Sequence, residues 1–175
     1  MPPPKAYFLT WTTYGTHLRG DAGESTDHAR IDRGARRLPT SPSLVKHQLG
    51  AMNHGTVRLS AAARDLVEKA IREHSTFRDW PIFALSVRSN HVHLLINSRL
   101  PPERVMLSCK TRATRILREA GVVGPDQKIW TRHGSTRWIN DDASLQAAYA
   151  YITQAQDGPV AASRYRKKPL PPGRG

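Results

Sequence analysis

The chain has 175 residues, enough for one domain with a sizeable core and no need of covalent staples. Lys and Arg number 27 against 14 Asp and Glu, a formal charge of +13, which points to a polyanion as partner, bound through release of counterions from phosphates. The single cysteine, Cys109, excludes an intrachain disulfide and a thiolate metal cluster, no secretory leader opens the sequence, and no apolar run reaches the roughly 20 residues of a membrane span, so a cytoplasmic protein acting without a membrane is expected.

The first element is Tyr7 to Tyr14, YFLTWTTY, whose aromatic and β-branched residues read as a strand. Residues 15–55 follow as a long irregular excursion, rich in Gly and Pro and carrying Arg30, Arg33, Arg36 and Arg37. Such a loop is either a solvated surface or a nucleic-acid-contacting one. Ser60 is placed to cap a helix over AAARDLVEKAIREHSTF, in which Leu66, Val67, Ala70, Ile71 and His74 share one stripe. Two β segments, Pro81 to Arg88 and Asn90 to Asn97, come next. Pro101-Pro102 opens a second helix that ends at Gly121, since proline suits a first turn and glycine a helix end. IWTRHGSTRWI reads as a β segment folded near His133-Gly134-Ser135, and Asp141 or Asp142 caps a last helix, DASLQAAYAYITQAQ. Residues 1–162 are expected to form a single domain, and the basic, proline-rich 163–175 a flexible tail. The order β-α-β-β-α-β-α predicts an α+β, ferredoxin-like antiparallel sheet with helices packed on one face.

The chemistry concentrates in His91-Val92-His93. Alternate residues of a strand share a face, so both imidazoles project the same way while Val92 enters the opposite layer. Two neutral imidazoles at i and i+2 can hold one divalent cation, leaving positions for water, a third side chain and substrate oxygens. The bland alternative is a pair of polar residues on a wet sheet face. The apolar strand around them, FALSV followed by VHLLI, favours a use.

SNHVHLLI resembles the signature (His, hydrophobic, His) of the HUH endonucleases. Residues 5–160 are similar in order to their single-tyrosine transposases, in particular the REP-associated tyrosine transposases and other transposases of the IS200-like group. YFLTWTTYGT corresponds to the opening strand, and VRLSAAARDLVEKAI, PPERVMLSCKTRATRILREAG and IWTRHGSTRWI follow in sequence. AYAYITQAQ resembles the C-terminal helix that bears the nucleophile. The resemblance implies a Mg2+ or Mn2+ ion held by His91 and His93, often with an amide from the last helix, and no nucleotide cofactor. It implies a tyrosine that attacks single-stranded or hairpin-associated DNA to give a 5′-phosphotyrosine, in a monomer or a homodimer.

Two tyrosines lie in that helix, and periodicity separates them. At about 100° per residue, Leu145, Ala148, Tyr149, Ile152 and Gln156 form one stripe, with Tyr151 about 200° from Tyr149. Tyr149 is therefore expected in the core and Tyr151 at the site, and Tyr151-Ile152 matches the Tyr-hydrophobic pair of the resembled proteins. For the third ligand those relatives point to Gln156. On an ideal helix Gln154 lies closer to Tyr151, and water could complete the shell instead.

Lys110, Arg112, Arg115 and Arg118 on the second helix are expected to line the path of the DNA. Trp130, Arg132 and Arg137, with Trp138, supply the basic-aromatic mixture of a single-strand platform. Two further readings stand beside a mobile transposase. One is a domesticated nuclease that cuts hairpin repeats without moving its own gene; the other is a nucleic-acid-binding protein that has lost cleavage, against which the intact His91, His93 and Tyr151 argue.

Overall fold

The structure, a computed structural model, describes residues 3–16, 46 and 55–154. Most of the 15–55 excursion, the 163–175 tail and Gln156 lie outside the described residues. Four strands and three longer helices are described: β1 (Ala6–Thr12), α1 (Ala61–Phe77), β2 (Ile82–Val87), β3 (His91–Ile96), α2 (Pro102–Glu119), β4 (Ser135–Ile139) and α3 (Asp142–Gln154). The strands form one antiparallel sheet in the order β2-β3-β1-β4. That is the split βαβ arrangement expected from the order of elements.

Local chemistry explains the boundaries. The Ser60 hydroxyl accepts from the Ala63 amide at 3.2 Å and starts α1. Its end uses Asp79 at φ 55°, with Asp79 N donating to Thr76 O and Trp80 N to Ser75 O. The end of α2 repeats this six-residue closure with Gly121 at φ 67°, where the lack of a Cβ removes the strain. For α3 the cap is Asp141, whose carboxylate accepts from the amide and hydroxyl of Ser144 at 2.7 and 2.8 Å. These bonds hold that carboxyl below the usual carboxylate range.

The sheet has two different faces. Tyr7, Leu9 and Trp11 of β1 and Val92, Leu94 and Ile96 of β3 point to one side, where α1 and α2 close a main core with Val67, Ile71, Val105, Cys109 and Leu117. Burial pushes the Cys109 thiol up to about 12, as an inert apolar position would. On the other side a smaller cluster joins Ala6, Ala84, Leu95 and Ile139 to Leu145, Ala148 and Ile152 of α3. The one-sided layering expected of the helices therefore holds for α1 and α2, whereas α3 crosses the opposite face over β2 and β3. That places the last helix on the same side as the histidines.

Candidate active site on the open face of the sheet

Register builds the site. β1 and β3 pair with Thr12 opposite His91, Thr10 opposite His93 and Phe8 opposite Leu95, and directly opposed residues share a face. On the flanks, Ser86 of β2 stands opposite His93, and Ser135 and Arg137 of β4 stand opposite Thr10 and Phe8. One face thus carries both imidazoles within a floor of hydroxyls, one phenyl ring and one guanidinium.

The rings are in contact. His91 and His93 have centroids 4.7 Å apart. Tyr151 of α3 meets His93 edge-on at 5.5 Å and Phe8 at 6.0 Å, and Phe8 lies 5.6 Å from His93. His93 is buried, His91 half-buried, and Tyr151 keeps 43% of its surface exposed. The phenol is therefore anchored on one side and open to a large substrate on the other. The helix register separates the two tyrosines as the periodicity predicts: Leu145, Ala148 and Ile152 are buried, and Tyr149 packs against their cluster.

The histidines are also held through Nδ1. His91 Nδ1 lies 2.8 Å from Asn90 Oδ1, and His93 Nδ1 lies 2.8 Å from Thr10 Oγ1. Two imidazoles on one face with centroids 4.7 Å apart, each with a hydrogen-bonded outer partner, are a donor set that could hold a divalent cation. Among the described residues no group of three His, Cys, Asp or Glu side chains gathers to hold a metal. Gln154, at the end of α3, is exposed.

The basic residues expected to bind DNA do not all reach this face. Lys110 is a correction: only 7% exposed, its ammonium donates to Thr131 O at 3.0 Å and His133 O at 3.1 Å. Desolvation brings it down to about 8; it is an internal strut, not a phosphate contact. Trp130 is the second correction. It is buried edge-on against Trp11 at 6.3 Å with its indole N–H donating to Thr114, so it offers no stacking platform. Arg112, Arg115 and Arg118 ride on α2, across the sheet from the histidines, and Arg115 is paired with Glu119 at 2.6 Å. Arg137 alone of the basic residues named for DNA sits in a strand register on the histidine side, and it is exposed there. Arg132 is exposed just before β4, and Trp138 is half exposed on the other side of the sheet against Tyr7.

Sequence reasoning missed Thr10, Asn90 and Phe8. Asn90 had a signal, standing directly before His91 at the hairpin tip. Thr10 and Phe8 had none, because which residue of β1 faces His93 depends on a pairing 83 positions apart.

No family model matches the sequence, and no curated protein matches it. Among solved structures, a REP-associated tyrosine transposase bound to a REP hairpin superposes with a TM-score of 0.50 at 14% identity, over 86% of this chain and 66% of that one. The chain shares the fold of that transposase structure. It spans about two thirds of that relative's length, and the shared feature at such identity is the architecture. A structure described as a candidate transposase from Deinococcus radiodurans R1 is also similar, with a TM-score of 0.49 at 14% identity over 84% of this chain and 88% of that one.

Proposed function

We propose that this protein is a metal-dependent, single-tyrosine DNA transposase or nuclease that cuts and rejoins single strands beside a hairpin. The observation that carries the reading is the contact of Tyr151 with His93, 5.5 Å between ring centroids, on the half-open face of the sheet. A phenol titrating near 10 is a poor nucleophile in neutral water. A divalent ion held by His91 and His93 would polarise the phosphate and stabilise the departing oxygen. The residues do the rest. Tyr151 Oη loses its proton and bonds to phosphorus while the P–O3′ bond breaks, giving a 5′-phosphotyrosine and a 3′-oxygen that gains a proton. Reversal by a 3′-hydroxyl restores the phosphodiester and the free phenol, so no nucleotide cofactor is consumed. Arg137 would meet a neighbouring phosphate, and the charge of +13 would draw the polyanion in. The hairpin as substrate rests on the similar fold of the relative bound to one.

Tyr151 meets His93 within one chain, which supports a site complete in a monomer. Among the described residues no helix is long and apolar enough to cross a membrane. The test is a labelled hairpin oligonucleotide with a single-stranded flank, incubated with Mg2+ or Mn2+ and run under denaturing conditions. A covalent adduct that maps to Tyr151 and disappears with chelator is expected. Cleavage without an adduct would mean plain hydrolysis, and an adduct on Tyr149 would overturn the assignment. Mixing His91→Ala with Tyr151→Phe protein should restore nothing, whereas recovery would indicate sites shared between chains.

A further inference from the structure

The two Nδ1 contacts have separate origins. Asn90 occupies the tip of the β2–β3 hairpin, and its own carbonyl accepts from Thr13 N at 2.8 Å, with the Thr13 and Thr16 hydroxyls at 3.2 and 3.4 Å. The next carbonyl back, Ser89 O, accepts from Leu59 N at 2.7 Å. A hairpin tip would otherwise be mobile, yet this one is tied to the end of β1 and to the segment entering α1. Its amide side chain is thus presented to His91 from a fixed backbone. Thr10 reaches His93 by another route, from the middle of β1, where the strand pairing sets it directly opposite.

An imidazole ligates through one nitrogen only when that nitrogen is unprotonated, and the hydrogen bond at the other decides which it is. An amide oxygen can only accept, so a bond from His91 Nδ1 to Asn90 Oδ1 puts the proton on Nδ1. A threonine hydroxyl can accept in the same way. We propose that Asn90 and Thr10 are positioning residues that hold His91 and His93 as Nδ1–H tautomers, each presenting Nε2 to one divalent cation. This inference rests on the metal-dependent reading above.

The test uses the full chain with Mn2+ as probe, followed by the electron paramagnetic resonance signal of the free ion. Ring-nitrogen NMR of the metal-free protein is the second measurement. Wild-type protein should bind Mn2+, and both histidines should show Nδ1–H. Asn90→Ala and Thr10→Val should each weaken Mn2+ binding by about 10- to 100-fold, whereas Asn90→Asp and Thr10→Ser, which keep an acceptor oxygen, should stay within about threefold. If the wild type binds Mn2+ and the Ala and Val variants bind it equally well, this inference falls and the metal reading stands. Loss in the conservative variants as large as in Ala and Val would also overturn it. An Nε2–H tautomer at either histidine does so whether or not any variant folds. Failure of folded wild-type protein to bind Mn2+ overturns the metal reading itself.

Discussion

The two faces of the sheet use the same strands for opposite purposes. In β1, residues 7, 9 and 11 are enclosed against α1 and α2, while 8, 10 and 12 are half-buried on the other side. β3 divides in the same way, Val92 and Leu94 into the main core and His91 and His93 to the other side. Two helices, α1 and α2, close the first face, and among the described residues α3 alone packs on the second. Stability and chemistry are thus separated by the two-residue period of a strand.

The sharpest way to break this division is Tyr151→Phe. It removes one oxygen from a partly exposed ring, so the covalent adduct should vanish and strand cleavage fall at least about a thousandfold. Thermal unfolding should shift by no more than about 0.5 kcal/mol. A large stability loss would mean that the phenol belongs to the core. On the closed face Leu94→Ala should do the reverse, costing about 2–5 kcal/mol for a cavity at a fully buried site. Thr10→Val, across the sheet, should cost about 1 kcal/mol or less by chemical denaturation. Similar losses would erase the distinction between the faces.

Lys110→Met tests the strut. Its two carbonyl acceptors would lose their donor, at a cost of about 1–3 kcal/mol, with DNA affinity nearly unchanged. Its pH dependence has a definite sign. The folded lysine gives up its proton near 8, whereas in the unfolded chain it stays protonated to about 10.4. The unfolded state therefore binds more protons in that window, and wild-type stability relative to Lys110→Met should rise as pH increases from 8 to 10. A relative fall, measured by denaturant melts across that range, would refute the buried cation. The smallest effect is expected from Arg137→Ala, which should make the salt dependence of single-strand binding shallower by about 0.7 in log–log slope. Arg115→Ala, behind the sheet, should leave the slope unchanged; a change of the same size would place the DNA path on the helix layer.

Much of this was legible because it is local. The cap at Ser60, the glycine end of α2, the His-x-His alternation and the separation of Tyr149 from Tyr151 all follow from periods of 2 and 3.6 residues. The failures came where a local pattern met a tertiary fact. Lys110 carries the charge of the neighbouring arginines, yet it shares a helical stripe with Met106, Ala113 and Leu117, all buried. That spacing was the available sign that its long stem carries the ammonium inward. The layer on which α3 lands, and therefore which arginines accompany the histidines, depends on chain crossings that no local period encodes. Of the two glutamines named for the last helix, Gln154 is exposed and Gln156 lies outside the described residues.

Gly134, in the bend that enters β4, has a part in this as well. A Cβ there would stand 2.5 Å from Thr10 O and 2.6 Å from Met106 Sδ. The methionine could swing aside; the carbonyl belongs to the backbone of the residue that touches His93. A library that randomises this bend to retune substrate preference should therefore leave position 134 untouched. Any side chain placed there would push on β1 and reach the imidazole through a single residue, altering the histidine pair while seeming to edit only a turn.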